Sequence, residues 1–367
     1  MAFTAFGALK PYQKRAWRRE VMRHARQNMI LNKYIGDDEN AVIQRISELR
    51  KTDKGTDSAM IQLVLDLQND GVAGDSTLKG REEAMDAAWH ETEMDQLRHA
   101  VTNKGRMDDQ RSVIDFRKTA RNNLGFWSAD RLEQMFILTA SGIPFTRKLN
   151  GALRTASELP NLRFASAATS PTSNRHRRIS GSTIAAGDTA SITSTDKLNY
   201  DALVDLKAYY EESYFRPIRK GGKEYFLLLT SPTGYAQISK DPKISGAIVG
   251  ALPRSEDNAF FTGAIVTVHG WVIATHRYCY NTTGLSSGSK WGATGTVDGI
   301  RSLILGPQAL TFVDIEQENW VEEHDDYENR LGIASGMITG IGKPRFKNPY
   351  FGMAIEDFAV GVLDHAR

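Results

Sequence analysis

Apolar and polar residues alternate along two stretches in the first third of the chain. The alternating apolar positions are Ile61, Leu63, Leu65 and Leu67, followed by Met85, Ala87 and Trp89. A period of two is typical of strands with one buried face. The intervening residues 69–83 are rich in glycine and charge, so they predict an exposed tip. The pattern therefore predicts a long two-stranded arm over residues 57–100. Such an arm needs something to lie against, because a lone hairpin is marginal in water.

Residues 112–140 carry apolar side chains at spacings of three and four instead of two. The stripe consists of Val113, Phe116, Ala120, Leu124, Trp127, Leu132, Met135, Phe136 and Leu138. This spacing predicts an amphipathic helix, about 40 Å long at 1.5 Å per residue. We expect Ser112 to cap its start, and Gly142 followed by Pro144 to end it.

The rest of the chain mixes short helical and strand patterns. Helices are predicted at 41–49 and 202–210, and strands or buried segments at 225–230, 264–275, 303–305 and 310–315. Residues 155–196 are rich in Ser, Thr, Ala and Gly. The basic cluster Arg175–Arg178 within them is interpreted as solvated side chains of a surface loop. The mixture predicts an α+β fold.

Charge is concentrated in two segments of opposite sign. From Lys10 to Lys33, eight basic residues accompany one acidic residue. The centre of this basic arm is formed by Arg15, Arg18, Arg19, Arg23 and Arg26. Residues 314–328 hold eight acidic residues and no Lys or Arg. The arm is either a solvated helix face or a contact for nucleic acid or an acidic neighbour. The acidic run lacks the turn glycine of a calcium loop, so we interpret it as a partner for the arm.

Composition narrows the class of protein without indicating a partner. The chain has 367 residues, a formal net charge of +2 and 41% hydrophobic residues, which is typical of a soluble globular protein with two or three domains. The single cysteine, Cys279, excludes an intrachain disulfide and a multi-cysteine zinc site. No window approaches the roughly 20 apolar residues of a membrane-spanning helix, and the start lacks a signal-peptide apolar region, so we expect no membrane association.

Motifs for catalysis are incomplete. Gly284-Leu285-Ser286-Ser287-Gly288 matches the nucleophile-elbow pattern, but loop-like residues flank it where a strand and a helix are required. His90-Glu91-Thr92-Glu93-Met94 has Met94 where a zinc-protease helix needs its second histidine. Gly340-Ile341-Gly342-Lys343 lacks the spacing and the hydroxyl of a phosphate loop. We therefore expect no catalytic, cofactor-binding or metal-binding residues. A serine hydrolase at Ser286 is kept as the weaker alternative.

Three further segments carry a resemblance. They are Asp66–Asp75 with Leu78–Glu83; Met94–Arg117, which contains Asp95–Ala100 and Lys104-Gly105; and Leu305–Phe346, which contains Trp320, Asp326-Tyr327, Gly332–Ala334 and Gly340. In this order they resemble the major capsid proteins of N4-like short-tailed bacteriophages and relatives. The resemblance covers most of residues 50–140 and 300–350, and it is weaker elsewhere.

The resemblance implies the tailed-phage capsid fold, of the Johnson or Hong Kong 97 type. Its parts would be an N-terminal arm (1–50), an extended two-stranded loop (51–107), the peripheral-domain spine helix (108–155), a mainly axial domain with inserted loops (156–300), and the remaining peripheral and axial strands (301–367). It also implies a structural protein, not an enzyme, that self-assembles as pentamers and hexamers of an icosahedral shell around double-stranded DNA. Scaffolding and portal proteins are implied partners, and decoration proteins are a further option. The implied location is the virion, and the host cytoplasm during assembly.

Contacts between subunits are expected at ten residues outside the basic arm. These are Leu63, Leu65, Leu67, Trp89, Arg98, Lys104, Glu322, Glu323, Asp325 and Asp326. The apolar residues of the extended loop are expected to bury one face on a neighbour, each contributing about 1.5–3 kcal/mol if fully covered. The acids are expected to meet the basic arm, Arg98 or Lys104 of a neighbour. With a net charge of +2, the chain is expected to enclose DNA without sequence-specific binding. The alternative is a nucleic-acid-binding protein that uses the basic arm.

Overall fold

The computed structural model describes residues 29–38, 40–46, 57–64, 70–82, 87–112, 115–213, 215–244, 266–315, 319–345 and 350–361. Its α-helices are α1 (Arg106–Arg111), α2 (Phe116–Ser141), α3 (Tyr200–Glu212) and α4 (Pro232–Lys240). Its strands are β1 (Ile35–Gly36), β2 (Ile43–Ile46), β3 (Ser58–Val64), β4 (Ala87–Glu93), β5 (Asp95–Thr102), β6 (His176–Ser180), β7 (Thr183–Ala186), β8 (Ile218–Lys220), β9 (Lys223–Thr230), β10 (Val266–Val268), β11 (Trp271–Thr275), β12 (Gly299–Leu305), β13 (Leu310–Asp314), β14 (Asn319–Asp325), β15 (Arg330–Gly342) and β16 (Met353–Ala359). No helix among these residues is long and apolar enough to cross a membrane.

The long helix predicted from the apolar spacing is α2. It has 26 residues, which corresponds to about 39 Å. Its start differs from the expectation, because Asp115 rather than Ser112 is the N-cap and accepts a hydrogen bond from the Lys118 amide. Its end is as predicted: Gly142 adopts a left-handed conformation with φ of 67°, which glycine reaches without a side-chain clash.

The first sheet has six strands in the order β1-β2-β13-β15-β14, with β5 also paired to β15. Strand β2 corrects the predicted helix at 41–49, because Ile43–Ile46 pairs in parallel with β13, and Ile43 lies opposite Leu310. Apolar residues there occur at helical spacing, but Ile43 is buried in the main core as part of a strand. Pairing with distant strands therefore decides the structure of this segment over local periodicity.

The second sheet has eight strands in the order β10-β11-β9-β12-β16-β6-β7, with β8 paired to β9. Its central strands are buried on both faces. Alternate residues such as Leu303 and Ile355 pack with α2, whereas Ile304 and Phe358 belong to the core cluster that includes α3. The sheet is thus enclosed between helical layers, and with the six-stranded sheet it confirms an α+β fold.

The basic cluster Arg175–Arg178 is not a surface loop. His176–Ser180 is a strand of the second sheet, and Arg175 precedes it with 5% of its surface exposed. The Arg175 guanidinium donates to the Tyr350 carbonyl and the Ser213 hydroxyl. The prediction of a solvated surface loop is therefore wrong, because the segment is a strand and Arg175 is buried against residues from distant parts of the sequence.

Candidate functional site

The predicted two-stranded arm is present as β3 and β4, paired antiparallel over Ser58–Val64 and Ala87–Glu93. Its base is anchored to the body of the subunit. Ala59 is buried in a small cluster with Met94 and Val313. The hydroxyls of Thr92 and Thr311 lie 2.8 Å apart, also buried. The arm therefore obtains part of its support from its own subunit.

One side of the arm presents two large apolar residues to solvent. Trp89 is 63% exposed and Met60 is 62% exposed. The register places Trp89 opposite Gln62 and Met60 opposite Glu91, so these positions share one side of the ladder. Leu63 lies opposite Ala88 and belongs to the other side. The expectation that Leu63 and Trp89 share one face is therefore wrong. Leu65 and Leu67 lie outside the described residues.

A second apolar surface lies on the first sheet. Helix α2 covers one face of the part made by β5, β15 and β14, through a cluster that includes Leu124, Trp320 and Ile333. The opposite face carries alternate residues of the same strands. We call it the open sheet face, and its members are Arg98, Ala100, Thr102, Val321, Glu323, Gly332, Ala334 and Gly336.

The open sheet face is flat because its central strand contributes only small residues. Gly332, Ala334 and Gly336 alternate along β15. At the edge, Val321 is 51% exposed. Arg98 is exposed on β5, and its Cγ lies close above Gly336, where an added Cβ would meet it at 2.9 Å. An extended segment from another molecule could approach this backbone closely.

The acidic run does not act as one free patch. The carboxylate of Glu322 has 3% side-chain exposure, lies 3.1 Å from the Arg117 guanidinium of α2 and accepts a hydrogen bond from the Trp320 indole. The expectation that Glu322 meets a neighbour is not supported by this position, because helix α2 already supplies its counter-ion. Glu323 is exposed on the open sheet face.

Asp325 and Asp326 lie at the tip of the β14–β15 hairpin. The Asp325 carboxylate accepts a hydrogen bond from the Asp326 amide, and Asp326 lies 3.9 Å from Arg330. Both acids are exposed, as is Lys104 just after β5. The structure thus brings Arg98 and Glu323 onto the open sheet face. Lys104, Asp325 and Asp326 lie beyond the ends of this face, after β5 and at the hairpin tip. The arginines of the basic arm, residues 15–26, lie outside the described residues.

Sequence reasoning missed the anchor at the C-terminal end of the basic arm. The buried Glu133 of α2 accepts hydrogen bonds from the backbone amides of Ile30 and Leu31. The Tyr278 amide donates to Nδ1 of His276, so Nε2 carries the ring proton and faces Glu133 at 3.4 Å. Burial alone would raise the pKa of Glu133, but these donors outweigh it and the pKa is lowered. An ionised carboxylate therefore fixes the entry of the N-terminal segment onto α2.

A second buried charge cluster joins α2 to the second sheet. Arg301 makes a bidentate pair with Asp357, with both nitrogen–oxygen distances at 2.8 Å, and donates to the Ser141 carbonyl. His176 Nε2 lies 2.6 Å from the same carboxylate. Burial would raise the pKa of Asp357, but Arg301 and His176 more than compensate, so the pKa is lowered. The cluster thus joins the C-terminal end of α2 to β12, β16 and β6 of the second sheet.

The described residues provide no catalytic constellation around Ser286. This serine lies in an exposed turn segment, where its hydroxyl lies 3.4 Å from the hydroxyl of Ser289. The strand and helix that a nucleophile elbow requires do not flank it. Within the same described ranges, no group of three or more His, Cys, Asp or Glu residues could hold a metal ion.

The chain is similar to known proteins in both sequence and structure. A family model described as phage capsid protein matches residues 5–367. The major capsid protein of Pseudomonas phage KPP25 is 41% identical over 362 residues, which cover 98% of this chain and 96% of that protein. The capsid of Ralstonia phage GP4 has a TM-score of 0.74 at 25% identity, covering 90% of this chain and 91% of that one. The capsid asymmetric unit of cyanophage Pam1 has a TM-score of 0.72 at 18% identity, covering 98% and 96%.

The structural neighbours confirm the Hong Kong 97 type of fold that the three sequence segments implied. The family match and the 41% identical relative confirm a structural function in the virion. The N4-like subgroup stays a prediction. The chain belongs to the phage capsid protein family and has the function of a tailed-phage major capsid protein.

Proposed function

We propose that the chain forms pentamers and hexamers of an icosahedral shell, and that the two-stranded arm of each subunit docks on the open sheet face of a neighbour. The subunit would be divided as the resemblance implies. The regions are the N-terminal arm (1–50), the extended loop that contains the two-stranded arm (51–107), the spine helix (108–155), the mainly axial domain (156–300) and the remaining strands (301–367). Strands β3 and β4 fall in the second region and α2 in the third, which supports this division.

Shape supports this docking. Trp89 and Met60 stand exposed on one side of the arm, whereas Gly332, Ala334 and Gly336 leave the sheet face flat. Burying the two large side chains against the glycine-rich strand would stabilise the contact by about 1.5–3 kcal/mol for each residue that is fully covered. A shell multiplies such modest contacts, since each subunit holds several others.

Charge supports the same arrangement. Glu91 shares the exposed side of the arm with Trp89, and Arg98 lies on the open sheet face. The two would be of opposite sign across the contact. Exposed ion pairs contribute about 0–1 kcal/mol and are screened by salt. Arg98 would therefore affect the register of the docked arm and the salt dependence of docking more than the binding free energy.

DNA and the other partners belong to the same proposal. A formal net charge of +2 supports a shell that encloses double-stranded DNA without sequence-specific binding. The basic arm would meet acidic surfaces of neighbouring subunits, among them exposed Glu323, Asp325 and Asp326. Assembly in the host cytoplasm with scaffolding and portal proteins, and later decoration proteins, would follow the general course of such shells.

The test is negative-stain electron microscopy with light scattering on the chain expressed alone. Wild type is compared with Trp89→Ala, with Met60→Ala and with Leu78→Ala, which removes an equally exposed apolar residue from the arm tip. We expect shells, sheets or capsomer-sized rings from wild type and Leu78→Ala, and far fewer from Trp89→Ala and Met60→Ala. Equal assembly by all four chains would refute docking through this side of the arm.

A further inference from the structure

The base of the two-stranded arm crosses β15 at two glycines, Gly340 and Gly342. Strand β5 pairs with β15 as far as Asp95, which lies opposite Thr339. On the N-terminal side of Asp95 the chain no longer pairs with β15, and residues 90–93 pass over Gly340 and Gly342. A Cβ on Gly340 would collide with the Glu93 carbonyl. A Cβ on Gly342 would collide with the Thr92 hydroxyl and lie 2.9 Å from His90 Nε2. The two glycines therefore form a saddle that sets how closely the arm lies on the body.

A cavity of about 290 Å³ lies beside this saddle. It is lined by β4 from His90 to Glu93, by Phe164, Ser166 and Ala167, and by Ile341 and Gly342. The Nε2 atom of His90 is shielded from solvent and has no hydrogen-bond partner among the described residues. A neutral imidazole tolerates this position far better than a charged one, because a buried cation needs an acceptor.

The charges around His90 do not supply that acceptor. On β4 itself, Glu91 and Glu93 occupy the alternate side of the ladder and are exposed. The loop that follows β15 contributes Lys343 and Arg345. The Lys343 ammonium donates to the Thr169 carbonyl, and burial lowers its pKa to about 7. Arg345 donates to the Thr169 and Tyr350 hydroxyls at 2.6 Å. Outside the cavity, Arg163 is paired with Asp57 at 2.8 Å. The lining residues from the 3-10 helix Arg163–Ala167 and from β15 carry no charge.

We propose that the saddle is an acid-sensitive pivot, at which protonation of His90 by solvent releases the arm from Gly340 and Gly342. The imidazolium would be a buried cation beside Arg345, and it regains hydration when β4 lifts away. Burial and the nearby Arg345 lower the pKa of His90 in the docked arm, which agrees with this direction. Since the released arm binds the proton more readily, docking is stable above the ordinary histidine pKa of 6.5 and weakens as the pH falls through it. This pivot acts within one subunit and does not rest on the proposed neighbour contact.

Hydrogen exchange of the backbone amides of β4, measured by mass spectrometry at pH 7.5 and pH 5.0, tests the pivot. Rates are corrected for intrinsic exchange, amides of β16 serve as the internal reference for folding, and light scattering verifies one assembly state throughout. If the docked arm excludes the proton, release should increase by up to about 30-fold at pH 5.0, because a released histidine with a pKa of 6.5 is then protonated about 30 times as often as it is neutral.

Three variants separate the pivot from general acid effects. His90→Gln keeps a polar side chain without the charge, and we expect its β4 exchange to lose the acid response. His324→Gln removes an exposed histidine on β14 and should respond as wild type does. Gly342→Ala should exchange rapidly at both pH values. An acid response that persists in His90→Gln, or is absent in wild type, would overturn the proposal, as would full protection of β4 in Gly342→Ala with β16 intact.

Discussion

Asp357→Asn and Glu356→Gln change adjacent, fully buried residues of β16, and we expect opposite effects on stability. Asp357 neutralises Arg301 through two hydrogen bonds of 2.8 Å. Asparagine would leave the guanidinium as a buried cation without a counter-ion. Breaking one member of a buried pair costs about 3–5 kcal/mol. With an unfolding entropy of about 2.1 cal/mol/K per residue, a chain of 367 residues should lose about 4–6 °C in Tm.

Glu356 is the reverse case. Both of its carboxyl oxygens are buried without a hydrogen-bond partner among the described residues. Burial, and then the charge of Asp357, raise the pKa of Glu356 from 4.5 to about 8. Because the folded pKa exceeds the unfolded one, stability that is present below pH 4.5 is lost as the pH rises toward 8. At pH 7 this loss is about 3 kcal/mol, so Glu356→Gln should gain about 4 °C in Tm.

Differential scanning calorimetry at pH 5, 7 and 8.5, with every protein in the same assembly state, measures both effects. The gain of Glu356→Gln should shrink toward pH 5, because the folded carboxyl is protonated there and the unfolded carboxyl, with a pKa of 4.5, releases its proton less completely than at pH 7. The loss of Asp357→Asn should persist at all three pH values. The reasoning is refuted if Glu356→Gln is less stable than wild type at pH 7, if its gain is independent of pH, or if Asp357→Asn melts like wild type.

Three further predictions concern residues buried elsewhere in the subunit. Glu133→Ala removes the acceptor of the Ile30 amide, so limited proteolysis should cut the N-terminal segment several-fold faster; unchanged cleavage, read by mass spectrometry, would place the anchor elsewhere. Gly299→Ala adds a Cβ that overlaps the Trp291 ring, so calorimetry should show a loss of about 1–3 kcal/mol, and an unchanged Tm would contradict the tight packing. Tyr210→Phe removes a buried hydroxyl without a partner among the described residues, so urea denaturation should show equal or up to about 1 kcal/mol greater stability, whereas a clear loss would reveal a hidden partner.

Local patterns predicted the elements that position the assembly surfaces. Alternation around Ile61 and Trp89 indicated the two-stranded arm, and the apolar stripe from Phe116 to Leu138 indicated helix α2. Both patterns depend only on residues that are close in sequence, so one amino-acid sequence is enough to predict these elements. Strand register does not, because the partner of each residue depends on how the arm base packs against Val313 and Thr311. The pairing of Trp89 with Gln62 therefore needed the structure.

Buried charges were the least visible feature in the sequence. Arg175–Arg178 has the composition of a solvated loop, yet His176 lies against Asp357, which is 181 residues away. The sequence around Glu322 is typical of an exposed acidic surface, but its carboxylate pairs with Arg117 of α2, which lies 205 residues earlier in the chain. A charged side chain becomes a core residue only when a distant partner compensates its burial, and spacing along the chain carries no sign of that partner.

Photo-crosslinking from position 89 tests most directly the claim that the arm docks on the sheet of a neighbour. Trp89 is replaced by benzoylphenylalanine, and light and heavy isotope-labelled subunits are mixed before assembly, so that mass spectrometry separates crosslinks between subunits from those within one. We expect mixed-isotope crosslinks to peptides of β5, β14 or β15 in assembled particles and none in dissociated subunits. Crosslinks confined to single chains, or directed in particles only to other surfaces, would contradict the account.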